Sequence, residues 1–209
     1  MKKWIIPKIW PGRTVFILGG GPGINGIDLA LLKNQRVIGV NNSVFLSRYI
    51  DVCYFGDYKW IERYRHSPDL RQYGGLIVTS CYEKWFERNS FLRGRVKKVR
   101  RGKPVGIETD PDAISWNKCS GLSAINLAYH FGAKKIVLVG FDMRIVDGEK
   151  NFHREYVGWE HTPIDIHEKY LTCIPAIAQD AEKLEIEIVN ATPDSAITHF
   201  QQVTIEEMI

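Results

Sequence analysis

Apolar positions along the chain fall into short β-branched or aromatic runs, separated by stretches where apolar residues recur at helical spacing. VFIL (15–18), RVIGV (36–40), DVCYF (51–55), GLIVTS (75–80), KKIVLVG (134–140) and IEIVNA (186–191) read as strands. Between them, 25–34 is helix-compatible, and YKWIERYR from Tyr58 carries its apolar and aromatic residues on one helical face. SGLSAINLAYHFG (120–132) reads as a helix with Ser120 at its start and Gly132 as its stop. A long helix is expected over about 164–183, and TPDSAITHF (192–200) as a short closing helix. Strands alternating with helices predict an α/β fold: a doubly wound, mostly parallel, Rossmann-like sheet covered on both faces. With no repeat, low-complexity tract or linker to divide it, the chain is expected to be a single domain over 1–209. The polar segment after the 134–140 strand has the length of a lid, with 143–162 as its candidate.

Composition narrows the class without naming a ligand. A formal net charge of +4 permits an anionic ligand without requiring nucleic acid. Four widely spaced cysteines (Cys53, Cys81, Cys119, Cys173), none in a CxxC pair, are expected to be reduced thiols. No run approaches the roughly 20 apolar residues of a membrane span, and the interrupted MKKWIIPKIW start does not read as a signal peptide. The expected compartment is the cytoplasm, with WIIPKIW left as a surface for a partner or a second copy in a homo-oligomer. FLRGRVKKVRRGK (91–103) carries seven positive charges and no negative one. Lysine and arginine protect edge strands, and that reading is preferred; the other is a patch for an anionic acceptor such as nucleic acid or a charged glycan.

The glycine-rich turn GGGPGING, from Gly19, breaks an apolar strand and is expected to hold phosphate through Gly19, Gly20, Gly21 and Pro22. GPGING (21–26) matches G-x-G-x-x-G, yet RVIGV runs into Asn41, Asn42 and Ser43 with no acidic residue for a ribose, so a dinucleotide is not expected. No GK[ST] follows, which excludes a P-loop. Asp57 follows the third strand, Ser120 and Gly121 open a helix, and Asp142 follows the 134–140 strand. All of these belong at the carboxyl ends of parallel strands, where ligands bind.

Taken together, GGGPGI, VIGVNNS, DVCYFGDYKW and CSGLSAINLAYHFGAKKIVLVGFDM resemble a superfamily with two better-understood branches. One is the bacterial sialyltransferases of glycosyltransferase family 42. The other is the archaeal-type 6-hydroxymethylpterin diphosphokinase and its relatives, including proteins encoded in phages and prophages. The resemblance covers residues 13–60 and 117–200. The sialyltransferase branch implies that Gly19 to Pro22, Asn41 and Cys119-Ser120-Gly121 hold the cytidine monophosphate of a CMP-sugar donor. It also places His161, in WEHTPIDIHEKY, on the catalytic histidine that deprotonates the acceptor hydroxyl. The family's loop after the central strand gives tyrosine hydroxyls to the leaving phosphate, and here that loop offers Tyr156, with His153 close by. Gly23 stands where the family has a serine.

The function expected from this is a nucleotide-sugar-dependent glycosyltransferase, with a small-molecule or glycan acceptor and no required cofactor. The alternatives are an Mg²⁺-dependent diphosphokinase, in which Asp57 and Asp142 hold the metal, and a nucleotide- or nucleic-acid-binding accessory protein without catalysis. His153, His161, Asp165 and His167 offer nitrogen and oxygen ligands, but HTPIDIH lacks the HExxH spacing and no metal site is expected.

Overall fold

The structure, a computed structural model, describes residues 4–81, 94–153 and 166–209. Its strands are β1 (Thr14–Leu18), β2 (Arg36–Val40), β3 (Val52–Phe55), β4 (Leu76–Thr79), β5 (Val96–Lys98), β6 (Arg100–Arg101), β7 (Ala113–Ile114), β8 (Lys135–Val139), β9 (Glu187–Asn190) and β10 (Gln201–Gln202). Eight form one sheet in the order β10-β9-β8-β1-β2-β3-β4-β5, with every pairing parallel, and β6 and β7 form a short ladder beside it. The helices are α1 (Tyr58–Tyr64), α2 (Pro68–Gln72), α3 (Ser120–His130), α4 (Ile166–Leu171) and α5 (Ile174–Lys183).

The two-residue period of a strand sorts the apolar runs onto two faces. Val15 and Ile17 of β1 pack with Ile136 and Leu138 of β8 against α3 and α5, through Leu122, Ile125, Ile174 and Ile177. Phe16 and Leu18 face the other way, with Val137, Val139, Trp60 and Ile61 of α1 and Leu70 of α2. The chain winds outward from β1 to β5, then returns to β8 on the opposite side of β1. Strand order therefore reverses between β1 and β8, and the crevice beyond their carboxyl ends is the switch point of a doubly wound fold.

Three expected helices differ. Over 25–34 the chain makes two 3₁₀ turns, Pro22–Gly26 and Leu29–Leu32. Gly23 and Gly26 weaken a continuous helix, and Asp28 restarts the second turn by accepting from Ala30 N at 2.9 Å. The described part of 164–183 is α4 and α5 with a break at Thr172 and Cys173, because Pro175 in the first turn of α5 has no N–H to continue the ladder. The segment 192–200 is not helical; its polar groups brace the loop after β8. Among the described residues no helix is long and apolar enough to cross a membrane.

The basic stretch resolves residue by residue, its first three positions lying outside the described residues. β5 is the edge strand of the sheet. Arg95 donates to the Arg71 and Tyr73 carbonyls, Arg100 pairs with Asp110 and Asp112, and the Lys103 amine donates to Ile107 O. In the N-terminal arm, Ile6 and Trp10 are core residues, with Trp10 packed edge-on to Phe131 at 4.9 Å, while Ile5 and Ile9 are exposed.

Candidate nucleotide cleft

A cleft of about 920 Å³ opens over the carboxyl ends of the strands. Gly19, Gly20, Gly21, Asn41, Asn42, Asp57, Ser120, Gly121 and Asp142 all line it, whereas Pro22 does not. The fold therefore gathers at one place residues separated by 123 positions (142 − 19).

The glycine turn is shaped first by its own chain. Gly19 N donates to Val139 O at 2.7 Å, Gly21 N to Gly140 O at 2.9 Å and Gly23 N to Asp142 Oδ1 at 2.9 Å. A Cβ on Gly19 would lie 2.5 Å from Gly140 O, and one on Gly21 1.9 Å from Asp142 Oδ2. The missing side chains thus admit the loop after β8, and three amides of the turn already have partners. Gly20 differs: among the described residues a Cβ there would meet only Asn151 Oδ1, at 3.5 Å.

Asp142 is 2 % exposed. Among the described residues its buried Oδ2 has no hydrogen-bond partner, and burial raises the carboxyl above its usual range against the Gly23 amide, its own amide, Arg144 and His167. The loop that carries it is braced from behind: Phe141 N donates to Thr192 Oγ1, Ser195 Oγ to Phe141 O, and Ala196 N to Asp142 O. Asn41, directly after β2, adopts a left-handed φ of 53° and has a buried Oδ1 that also lacks a partner among the described residues. Asn42 is held differently, accepting from Trp60 Nε1 at 2.7 Å and donating to Tyr64 Oη at 2.8 Å. Asp57 caps α1 through Lys59 N at 2.9 Å.

The start of α3 stands between the two sides of the cleft. Ser120 Oγ accepts from Gly56 N at 3.2 Å, while a Cβ on Gly121 would meet the Phe141 ring at 2.9 Å. Ser120 and Gly121 thus touch both the β3 and the β8 ends, and the first-turn amides carry the partial positive charge of a helix N-terminus.

No protein-family model and no curated protein matches the chain. Solved structures do. The sialyltransferase CstII from Campylobacter jejuni, in complex with the substrate analogue cytidine-5'-monophosphate, superposes with a TM-score of 0.57 at 15% identity, over 92% of this chain and 85% of that one. The sialyltransferase CST-II with a trisaccharide acceptor and CMP, and CstII with CMP-3FNeuAc, each give 0.58 at 16% identity, over 91% and 86%. This chain has the CstII fold.

On that fold, among the described residues, more positive than negative groups line the cleft: Arg101, Lys118, Arg144 and Lys150, against Asp57 and Asp142. Arg144 Nε donates to Asp194 O at 2.6 Å. His153 and His167 also line the cleft. Burial lowers the His167 pKa and Lys150 pushes the same way, with Asp142 opposing, so the imidazole is neutral at pH 7. Cys81, raised to about 11 by burial, and Cys119, raised by burial too, are neutral thiols and not poised nucleophiles. His161, Tyr156 and Asp165 lie outside the described residues, as do positions 154–162 of the lid candidate. Among the described residues no group of three or more His, Cys, Asp or Glu converges on a metal-sized position. The sequence reading missed Arg101, Arg144 and Lys150 as cleft residues and treated His167 only as a metal ligand. Arg144 and Lys150 lie within the segment flagged as a lid, which was the available signal.

Proposed function

We propose that this cleft binds a nucleotide-activated sugar and transfers the sugar to an acceptor hydroxyl. The observation that carries the reading is the convergence of Arg144, Lys150, the start of α3 and a neutral His167 on the switch-point crevice of a CstII-like fold. The CstII complexes, with CMP and with a trisaccharide acceptor, supply the substrate classes.

In the step, the acceptor oxygen bonds to the anomeric carbon as the bond from that carbon to the donor phosphate breaks. The bonding pair leaves on the nucleotide phosphate, where Arg144, Lys150 and the α3 amides balance the charge as preorganised dipoles and cations do. The acceptor proton passes to a histidine. His167 fills this role among the described residues, and the resemblance offers His161. Asn41 Oδ1 and Asp142 Oδ2, two acceptors without partners among the described residues, suit hydroxyl or amine donors of the nucleoside.

One observation favours a second reading: Asp142 Oδ2 and Asp57 are hard oxygen ligands on the same cleft, as an Mg²⁺-dependent diphosphokinase needs. Thermal-shift binding of CMP, CDP, UDP, GDP and ATP, each with and without Mg²⁺, tests both. Stabilisation by a pyrimidine nucleotide without metal is expected. Stabilisation by ATP with Mg²⁺ alone selects the diphosphokinase, and silence across the panel overturns both. A catalytically inert nucleotide binder is separated by His167→Ala and His161→Ala, to which it is indifferent.

A further inference from the structure

Two thiols at the edge of the cleft have no part in the transfer chemistry. Cys119 is the N-cap residue of α3 and Cys173 that of α5, and both are free thiols. The two helices begin side by side. Lys118 Nζ donates to Thr172 Oγ1 at 3.2 Å, and each cysteine is the next residue along from one of these partners. Cys119 packs against the core cluster that contains Cys173. Burial raises the Cys119 thiol, the Leu122 and Gly121 amides at the head of α3 oppose this, and Cys173 pushes the same way as burial.

The two positions differ in access and in what they control. Cys119 is partly exposed and lines the cleft, whereas Cys173 is fully buried. Cys119 directly precedes Ser120 and Gly121, the residues that touch both the β3 and the β8 ends. Cys173 sits in the joint between α4 and α5, where its amide donates to Tyr170 O at 3.0 Å and Thr172 Oγ1 donates to Lys169 O at 2.8 Å. Through α4 that joint holds His167 and Tyr170 on the cleft. One thiol is therefore open to reagents in the cleft, and the second is sealed beside it as a resolving partner.

We infer that Cys119 and Cys173 are a thiol–disulfide pair that ties the start of α3 to the α4–α5 joint, and that closure of the pair and nucleotide in the cleft oppose each other. The oxidant is a small-molecule disulfide such as glutathione disulfide. Cys119 gives up its proton and attacks one sulfur of the oxidant, whose S–S bond breaks to release one glutathione, which takes a proton. Cys173, losing its own proton, then attacks the Cys119 sulfur and releases the second glutathione. Two protein thiols are oxidised and one glutathione disulfide is reduced. Because burial keeps Cys119 a neutral thiol at pH 7, the exchange is slow there and quickens with alkali. The tie draws on the backbone of Ser120 and Gly121, which is packed against Gly56 and the Phe141 ring and so cannot shift without disturbing the cleft floor. The pairing stands without the transferase reading; its opposition to nucleotide rests on that reading.

Glutathione redox buffers of graded ratio, applied to the full chain at alkaline pH and followed by intact mass and peptide mapping, test it. The expected product has lost two hydrogens, carries no glutathione and maps to a Cys119–Cys173 link, which requires Cα atoms within about 7 Å. Cys173→Ser is expected to stop at a glutathione adduct on Cys119. The closed protein should bind CMP about tenfold more weakly, with dithiothreitol restoring the affinity, and saturating CMP should shift the buffer ratio at half-closure by the same factor. A glutathione adduct that persists on wild-type Cys119, a link to Cys53 or Cys81, or no reaction at Cys119 would each overturn the pair. Equal CMP affinity before and after closure would overturn its opposition to nucleotide. Failure of CMP to bind the reduced protein sinks the donor reading instead, and the mapped link still decides the pair.

Discussion

The two walls of the cleft are built from opposite materials. At the β1–β8 crevice the surface is mostly backbone, packed so tightly that Gly19, Gly21 and Gly23 have no room for a Cβ and three amides are bonded to the neighbouring loop. At the β3–β4 end the surface is side chain, with Arg101, Trp116 and Lys118 held out by a strained turn. A wall of close-packed backbone fixes position and tolerates no added volume. A wall of long side chains carries charge and area, and tolerates exchange with a change of preference. The contrast also relocates the anion: in the glycine turn the carboxylate of Asp142 already takes the Gly23 amide, so a phosphate must be met mainly by Arg144, Lys150 and the start of α3.

The largest effect is expected from the group that neither wall supplies. His167→Ala should lower the transfer rate by about 10²–10⁴-fold with nucleotide affinity kept, the range for loss of a general base. Because burial and Lys150 hold the imidazole below its ordinary pKa, the wild-type rate should fall with acid at a lower pH than an ordinary histidine base would give. An unaffected rate in that variant, with loss in His161→Ala, would move the base to His161. Next come Arg144→Met and Lys150→Met, each expected to cost about 10²-fold in kcat, comparable with removing one donor to a developing oxyanion. If they weaken ground-state nucleotide binding by the same factor, they bind the phosphate without favouring the transition state.

Part of this was readable in advance. Apolar runs located six strands of the sheet, because strands buried on both faces have no polar alternation to hide them. The residues after those strands then had to share one end of the sheet, which is why most of the expected site residues line one cleft. What the sequence withheld is contact over long separations. The glycines looked like a phosphate cradle because nothing local says that Asp142, 121 positions beyond Gly21, approaches to 1.9 Å from where a Cβ would be. Arg101 was one charge in a run of seven, and the Ser80 and Gly56 carbonyls to which it donates follow strands far back in the chain. The 192–200 segment has helical composition, yet Thr192, Ser195 and Ala196 bond the β8 loop instead of one another.

Two substitutions in the same turn sharpen the contrast of materials. Gly21→Ala should destabilise the fold by about 1–3 kcal/mol, as overpacking does, because Asp142 and Gly140 O must both give way. Gly20→Ala, where the nearest atom is 3.5 Å off, should melt close to wild type in the same thermal scan. Equal destabilisation by both would mean that backbone freedom, not the approach of Asp142, makes the turn glycine-rich. Asp142→Asn should raise stability at neutral pH. Its folded carboxyl pKa lies above the unfolded one, so the charged form costs stability above that range and the cost vanishes in acid. A gain that persists unchanged at low pH would contradict this.

The smallest effect separates the walls by pH. His130 in α3 is buried, with Nε2 2.8 Å from Ala113 O in β7, the strand paired with the one that carries Arg101. Burial lowers its pKa, against the Ala113 carbonyl and against Glu108 and Asp110. The sign follows: with the folded pKa below the unfolded one, stability is full above about 6.5 and falls as pH drops through the folded pKa, because only the unfolded chain takes up the proton readily. Hydrogen exchange should therefore show the amides of β6, β7 and 113–117 losing protection between neutral and mildly acid pH, while Gly19, Gly21 and Gly23, with no histidine in their hydrogen bonds, hold theirs. His130→Gln should flatten that acid loss at some cost at pH 7. If the glycine turn opens first instead, the side-chain wall is the more rigid of the two, and Trp116 and Arg101 are then preorganised more strongly than the donor crevice itself.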